Sequence, residues 1–348
     1  MKSRPTLKTI AEHIGVTVST VSLALRDDPR ISRATRDRVQ EAADALDYVY
    51  NRHAANLRRG DSATVAVCLN ELSNPFVTEF LQHMEAHFRE AGRMMLFGHA
   101  HESLALQAEV VKQMAEHGAA GMIMVPVMGT MAEELVRLQR SYLRHCPLVL
   151  ISRDVDDAPV DRVINDDGLG VRLLLEHLQA LGHRRIAWLG GGQGTSTARD
   201  RERSFVEGLA IAGLTPVSIH HGPTSMAFGD AAAGPLLDAP NPPTAIVCFS
   251  DLVALGVQAA CYRRGLVPGV DISVTGFDDM DVAAYATPPL TSVRVRTDVI
   301  GQQASALLLA RMAGDQTPPR CQTVDPLLVV RASTGPVPDT PSLPGDAL

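Results

Sequence analysis

No run of residues in this chain is long and continuously apolar enough to span a membrane, which excludes a helical membrane protein. The polar, basic first residues contain no apolar signal core, so the expected location is the cytoplasm. Cysteines are few, and Cys68, Cys146, Cys248, Cys261 and Cys321 are odd in number and far apart. That spacing argues against a disulfide framework and suits reduced thiols, most of them in apolar surroundings. The twelve histidines show no metal-ligand spacing, and the neighbours His220 and His221 would face opposite sides of a strand. No metal and no other cofactor is expected. Catalysis lacks its parts too: there is no nucleophile with a base and no motif of paired carboxylates. The glycines of Gly190-Gly191-Gly192-Gln193-Gly194 lack the spacing of a dinucleotide cradle and fit a loop whose backbone nears a cleft. The chain is not expected to be an enzyme. Asp154, Asp156, Asp157 and Asp161 fit a solvated turn.

Aromatics are scarce and Ala, Val, Leu and Gly ample, the balance of an ordinary α/β protein. A length of 348 residues provides for roughly two or three domains with proper cores. The first sixty residues stand apart. Leu7, Ile10, Ala11 and Ile14 line one helical face, and Gly15 supplies a permissive corner. Thr17 is placed to cap a second helix running to about Leu25, with Val18, Val21, Ala24 and Leu25 at helical spacing. Ser32 caps a third, whose Ala34, Val39, Ala42, Ala43 and Leu46 can close over the first two. That is a helix-turn-helix module. Up to Gly60 the chain has eleven Lys/Arg against seven Asp/Glu, whereas the whole carries a net −7. A basic head on an acidic body concentrates attraction for a polyanion at one end.

Residues 51–60, NRHAANLRRG, carry a helical pattern too short to be stable in isolation, and could equally be a plain linker. From Thr64 the pattern changes to strand-then-helix units. Strands are expected at 65–69, 93–97, 121–125, 147–151, 185–189, 244–249 and 272–277, with helices between most of them. Continuous apolar strands between helices imply mostly parallel sheets covered on both faces, in two successive lobes with a cleft between. Thr291 to about Arg331 offers a strand, a helix and a final strand that can cross back between the lobes. The Pro- and Gly-rich tail from Thr334 has no leucine heptad and reads as disordered.

These pieces resemble the lactose-repressor/galactose-repressor (LacI/GalR) family of bacterial transcription regulators. The resembling text includes TLKTIAEHIGVTVSTVS, RISRATRDRVQEAADALDY and NRHAANLRRG at the head, then Asn74-Pro75-Phe76 and Gly182-His183-Arg184-Arg185-Ile186. SVTGFDD at 273–279, PLTSVR at 289–294 and LVVRAST at 328–334 continue it. The resemblance implies a helix-turn-helix domain at 1–50, a hinge helix at 51–60 and a periplasmic-binding-protein-like effector and dimerisation domain at 61–333. Lobe 1 is then about 64–163 with 294–323, lobe 2 about 164–291 with 324–333, and 334–348 a tail.

Carried over to this chain, the second helix reads DNA in the major groove. Val18 and Ser19 fall on specificity positions, Ser22 and Leu23 lie one turn on, and Thr17 and Thr20 suit phosphate contacts. Leu23 replaces an arginine of many relatives; it can pack on a thymine methyl but cannot grip a guanine, so the operator should differ there. In the hinge, Leu57 matches an apolar wedge pushed into the minor groove, flanked by Arg58 and Arg59, and Asn51 is a further DNA-binding candidate there. The implied partners are a near-palindromic double-stranded operator, a second copy of the chain, and a small effector, best matched by a sugar or sugar derivative. In the cleft, Arg201 and Asp278 match the residues that meet a ligand, with Phe76, Arg153, Thr195, Thr197, Thr224 and Ser250 around them. A plain ion pair across the cleft is the alternative for Arg201 and Asp278. Ser152, Ser204, Ser250 and Val295 depart from the family pattern, so the ligand is not that of the lactose or purine members. The competing function is a ligand-binding sensor or receptor with no role on DNA.

Overall fold

The structure is a computed structural model, and it describes residues 5–48, 63–192 and 194–338. The chain divides into two compact units, Met1–Ser62 and Ala63–Leu348. Asn51, Leu57 and Arg58 lie outside the described residues.

The first unit holds α1 (Leu7–Ile14), α2 (Val18–Ala24) and α3 (Arg33–Ala45). Each starts on a hydroxyl cap: Thr6 accepts from the amide of Thr9, Thr17 from Thr20 and Ser32 from Thr35. Gly15 ends α1 at φ 70°, a left-handed conformation that only glycine adopts freely, and turns the chain straight into α2. Ile10, Ala11, Val21, Ala24, Val39, Ala42 and Ala43 form the buried core. Ala34, expected in that core, is exposed instead. It sits in the first turn of α3, which points past the α1–α2 pair.

The second unit is two parallel-sheet lobes. The first sheet runs β11-β5-β4-β3-β1-β2 and is parallel throughout. It comprises β1 (Thr64–Leu69), β2 (Met94–His99), β3 (Gly121–Met124), β4 (Leu148–Ile151), β5 (Asp161–Asn165) and β11 (Cys321–Val324). The helices among these strands are α4 (Pro75–Glu90), α5 (Leu104–Glu116) and α6 (Ala132–Ser141). The second sheet runs β12-β10-β9-β8-β6-β7, with β12 antiparallel at its edge. Its strands are β6 (Ile186–Leu189), β7 (Ile219–His220), β8 (Ala245–Cys248), β9 (Ser273–Asp278), β10 (Thr291–Arg294) and β12 (Leu327–Val329). Its helices are α7 (Asp167–Ala180), α8 (Ser196–Ile211), α9 (Met226–Leu237), α10 (Asp251–Arg263) and α11 (Asp281–Tyr285). The chain leaves the first sheet after Asn165 and returns after Arg294 through α12 (Thr297–Met312). It crosses once more between Val324 and Leu327.

Three local expectations are corrected. Asp161 is not in a solvated turn: it begins β5, is buried, and takes a fork of two hydrogen bonds from Arg311 at 2.6 and 2.9 Å plus the amide of Arg320. A carboxylate next to an arginine looks like surface in one dimension, because its partner is far away in the chain. Asp154 is half-buried on Arg162, whereas Asp156 and Asp157 are exposed as expected. The tail is not loose from Thr334. The hydroxyl of Thr334 meets His177 and Thr291, Gly335 bonds His183 and Ser273, and Val337 donates to Leu181. Four of the five cysteines are buried and all five are free.

Candidate functional site

In the head, α2 turns Thr17, Val18 and Ser19 to the outside, and Val18 is 44% exposed. An apolar side chain left outside a well-formed core is available for contact. Val21, on the opposite face, is fully buried. Thr17 and Thr20 share a hydroxyl hydrogen bond of 2.8 Å at the helix start. Ser22 and Leu23 are half-buried. Arg26, which sequence reasoning passed over, folds back one turn. Its Nε donates to the Ser22 carbonyl at 2.7 Å and its Nη2 to the Ser22 hydroxyl at 2.8 Å. The signal was available as an i, i+4 pair.

In the body, the second sheet assembles a buried charged group at the carboxyl ends of its strands. The first turns of α8 carry Arg201, whose guanidinium is nearly sealed from solvent. Its Nε donates to Asp167 at 2.8 Å, its Nη1 to the carbonyl of Phe249 at 2.7 Å, and its Nη2 stands 3.6 Å from Asp278. The faces of Phe277 and Phe249 lie 3.6 and 4.8 Å from the same guanidinium. Arg201 and Asp278 therefore belong to one lobe and do not face each other across the cleft, contrary to expectation. The expectation fails because α8 follows β6 and Asp278 ends β9, and both strands lie in the second sheet.

Burial dominates the electrostatics. Asp278 is pushed up to about 7, chiefly by desolvation and further by Asp167 and Glu79, against the pull of Arg201. Asp167 and Asp251 are raised for the same first reason. Asp251 is fully buried and acts as a strut. It accepts the Ser292 hydroxyl at 2.5 Å and the Met280 amide at 2.7 Å, and so fixes the turn that carries Asp278. That turn is strained, with Asp278 at φ 105° and Asp279 at φ 54°.

The remaining expected residues divide. Ser250 follows Phe249, is buried, and caps α10 through the amide of Val253. Thr195 caps α8 through the amide of Ala198 and meets Thr197 at 3.1 Å. Phe76 is buried at the start of α4, edge-on to Phe80. Arg153 belongs to the first lobe and is already engaged: it forks onto Glu102 at 2.7 and 3.0 Å and donates to the carbonyl of Pro126. Thr224 is exposed in the segment between β7 and α9 and takes part in none of the hydrogen bonds that join the others. Sequence reasoning missed Asp167, Asn165, Asp251, Glu79 and Glu102. Only a three-dimensional partner distinguishes these carboxylates and amides from surface ones.

The lobes touch at the rim. The Asp154 amide donates to the Ser196 hydroxyl at 2.7 Å, the Gly129 amide to the Gly194 carbonyl at 3.3 Å, and Arg199 pairs with Asp156 at 2.6 Å. Beside these contacts lies an open hollow of about 810 Å³ on the exposed face of α8.

Residues 6–51 match the bacterial regulatory proteins of the lacI family, and residues 175–334 match the periplasmic binding protein-like domain. The transcriptional regulator GalR of Escherichia coli (strain K12) is 30% identical over 342 residues, covering 97% of each chain. The chain belongs to the LacI/GalR family of transcriptional regulators. A lac repressor dimer bound to operator and the anti-inducer ONPF superposes with a TM-score of 0.87 at 26% identity, over 96% of this chain and 100% of that one. A complex of the regulator CelR with cellobiose gives 0.70 at 28% identity, over 95% and 100%. Like its relatives, this LacI/GalR member joins a DNA-binding head to a ligand-binding body of the periplasmic-binding fold. No described helix is long and apolar enough to cross a membrane.

Proposed function

We propose that this LacI/GalR regulator acts as a homodimeric repressor on a near-palindromic operator, and that a carbohydrate in the interlobe cleft controls its grip. The observation that carries the reading is a capped helix-turn-helix head in one chain with a two-lobed body whose strand ends bury Arg201 and Asp278. Val18, Ser19, Ser22 and Leu23 read base edges, while Thr17 and Thr20 meet phosphates once the duplex competes for their hydroxyls. Asn51, Leu57 and Arg58 act in the minor groove. Arg201, Asp278, Ser250, Thr195 and Thr197 line the effector site with Phe76 as its apolar wall; Arg153 and Thr224 contribute at its edges. Met94 and Phe97, 58% and 54% exposed on opposite sides of the edge strand β2, leave an apolar sheet edge open to a second copy. The relatives support the same reading: one is a dimer on its operator and another holds cellobiose.

The ligand acts through the three crossings between lobes. Re-angling the lobes shifts the faces that position the paired hinge segments, and so moves an order–disorder equilibrium at the DNA. Removing residues 1–60 tests the division of labour. The truncated body should lose DNA binding and keep its ligand. Unchanged DNA affinity in the truncated body would overturn the reading.

A further inference from the structure

The cleft holds more buried carboxylate than buried cation. Arg201 is nearly sealed from solvent, and its Nε and Nη1 are spent on Asp167 and the Phe249 carbonyl. Against it stand Asp167 and Asp278, both over nine-tenths buried, and the half-buried Glu79 of α4, which bonds Thr297 at 3.3 Å. Asp251 lies behind Asp278, fully buried and held by Ser292 and Met280. The neighbouring Arg294 and Arg331 both engage Asp279, and the single positive charge left over does not cancel the excess of Asp167, Asp278, Asp251 and Glu79 over Arg201. Arg153 is neutralised by Glu102.

An amide oxygen points the same way. Asn165 is 6% exposed; its Nδ2 donates to the same Asp167 oxygen that Arg201 holds, at 3.1 Å, and its Oδ1 has no partner. Asn70, at the end of β1, also leaves its Oδ1 unpaired, but it stands on the Glu102–Arg153 pair three strands away and is no part of this group. Buried acceptors are rarely left unmet, so a site that shows one beside carboxylates in excess of their cation is made for a donor.

We propose that the effector of this regulator carries a positive charge, as an amine-bearing polar metabolite such as an amino sugar, whose ammonium sits against Asp278 and Asp167 and which gives a further donor to Asn165. The inference rests on the reading of the cleft as the effector site. An acid or a phosphate ester would bring a further anion beside Asp278 and Asp167 with only the Nη2 of Arg201 to receive it, and desolvating such a group of like charges is costly. Burial already pushes Asp278 up to about 7. Its anion, the form a cation needs, therefore prevails only above that pH, and binding tightens as pH rises from 6 to 8.

The test separates a bacterial metabolite extract into cationic, neutral and anionic pools by ion exchange. Thermal unfolding of the full chain is then followed with each pool at pH 8. The expected result is stabilisation by the cationic pool, with about tenfold more of it needed for Asp278→Asn and for Glu79→Gln. Glu79→Gln, at a half-buried position, keeps the test open should the first variant fail to fold. Stabilisation by the neutral or anionic pool alone, or by the cationic pool equally in both variants, overturns the inference and leaves the cleft an effector site. No stabilisation by any pool overturns the effector reading itself.

Discussion

Asp278 joins stability to recognition in one side chain. Its carboxyl is raised from 3.8 in the free residue to about 7 by burial. The folded form therefore holds a proton that the unfolded chain has released between those two values. On that account this group makes the fold more stable as pH falls from about 7 toward 4, and less stable above 7. The span corresponds to roughly 4 kcal/mol. Asp278→Asn should flatten this part of the profile and raise the melting temperature at pH 8, which calorimetry across pH reads directly. An unchanged profile would mean that Arg201 fully offsets the burial. At this scale the sequence was legible only where the family resemblance pointed, at Arg201 and Asp278. Asp167 and Asn165 were not, because their meaning lies in a shared oxygen that joins α7 to α8.

At the scale of elements, amphipathic spacing predicted the head helices and most of the body, and terminal hydroxyls marked the starts of the head helices. The exceptions share a cause: contacts distant in sequence decide them. The helix Met226–Leu237 contains Gly229, Gly234 and Pro235, residues poor for a helix in isolation. It forms because glycines let it lie directly on its neighbour α10. A Cβ on Gly256 would come 2.0 Å from the Met226 carbonyl oxygen, and one on Gly229 2.1 Å from that of Val253. Gly256→Ala should force α9 and α10 apart and cost about 3 kcal/mol in urea unfolding of the body. A loss below about 0.5 kcal/mol would show that the two helices are loosely seated. β5 was hidden for a similar reason, since its first residue, Asp161, is buried against Arg311 and the amide of Arg320, both distant in sequence.

Across the whole molecule, the order of head, lobes and crossings was readable in the sequence, because composition and period change where the units change. That Arg201 and Asp278 meet within one lobe followed from the bounds of lobe 2 but was not drawn from them, because which strand ends lie side by side is set by crossovers and not by position in the chain. The two six-stranded sheets are tied by three crossings and by rim contacts such as Asp154–Ser196 and Arg199–Asp156. A ligand that binds one lobe angle better than another shifts the population by its differential affinity and by nothing more. The deciding measurement is the affinity of the full chain for an operator selected from random duplexes, with and without a saturating cleft ligand. A Kd that moves at least tenfold, about 1.4 kcal/mol of coupling, and no longer moves in Arg201→Ala, is the predicted result. An operator affinity indifferent to a ligand shown to occupy the cleft would contradict the account.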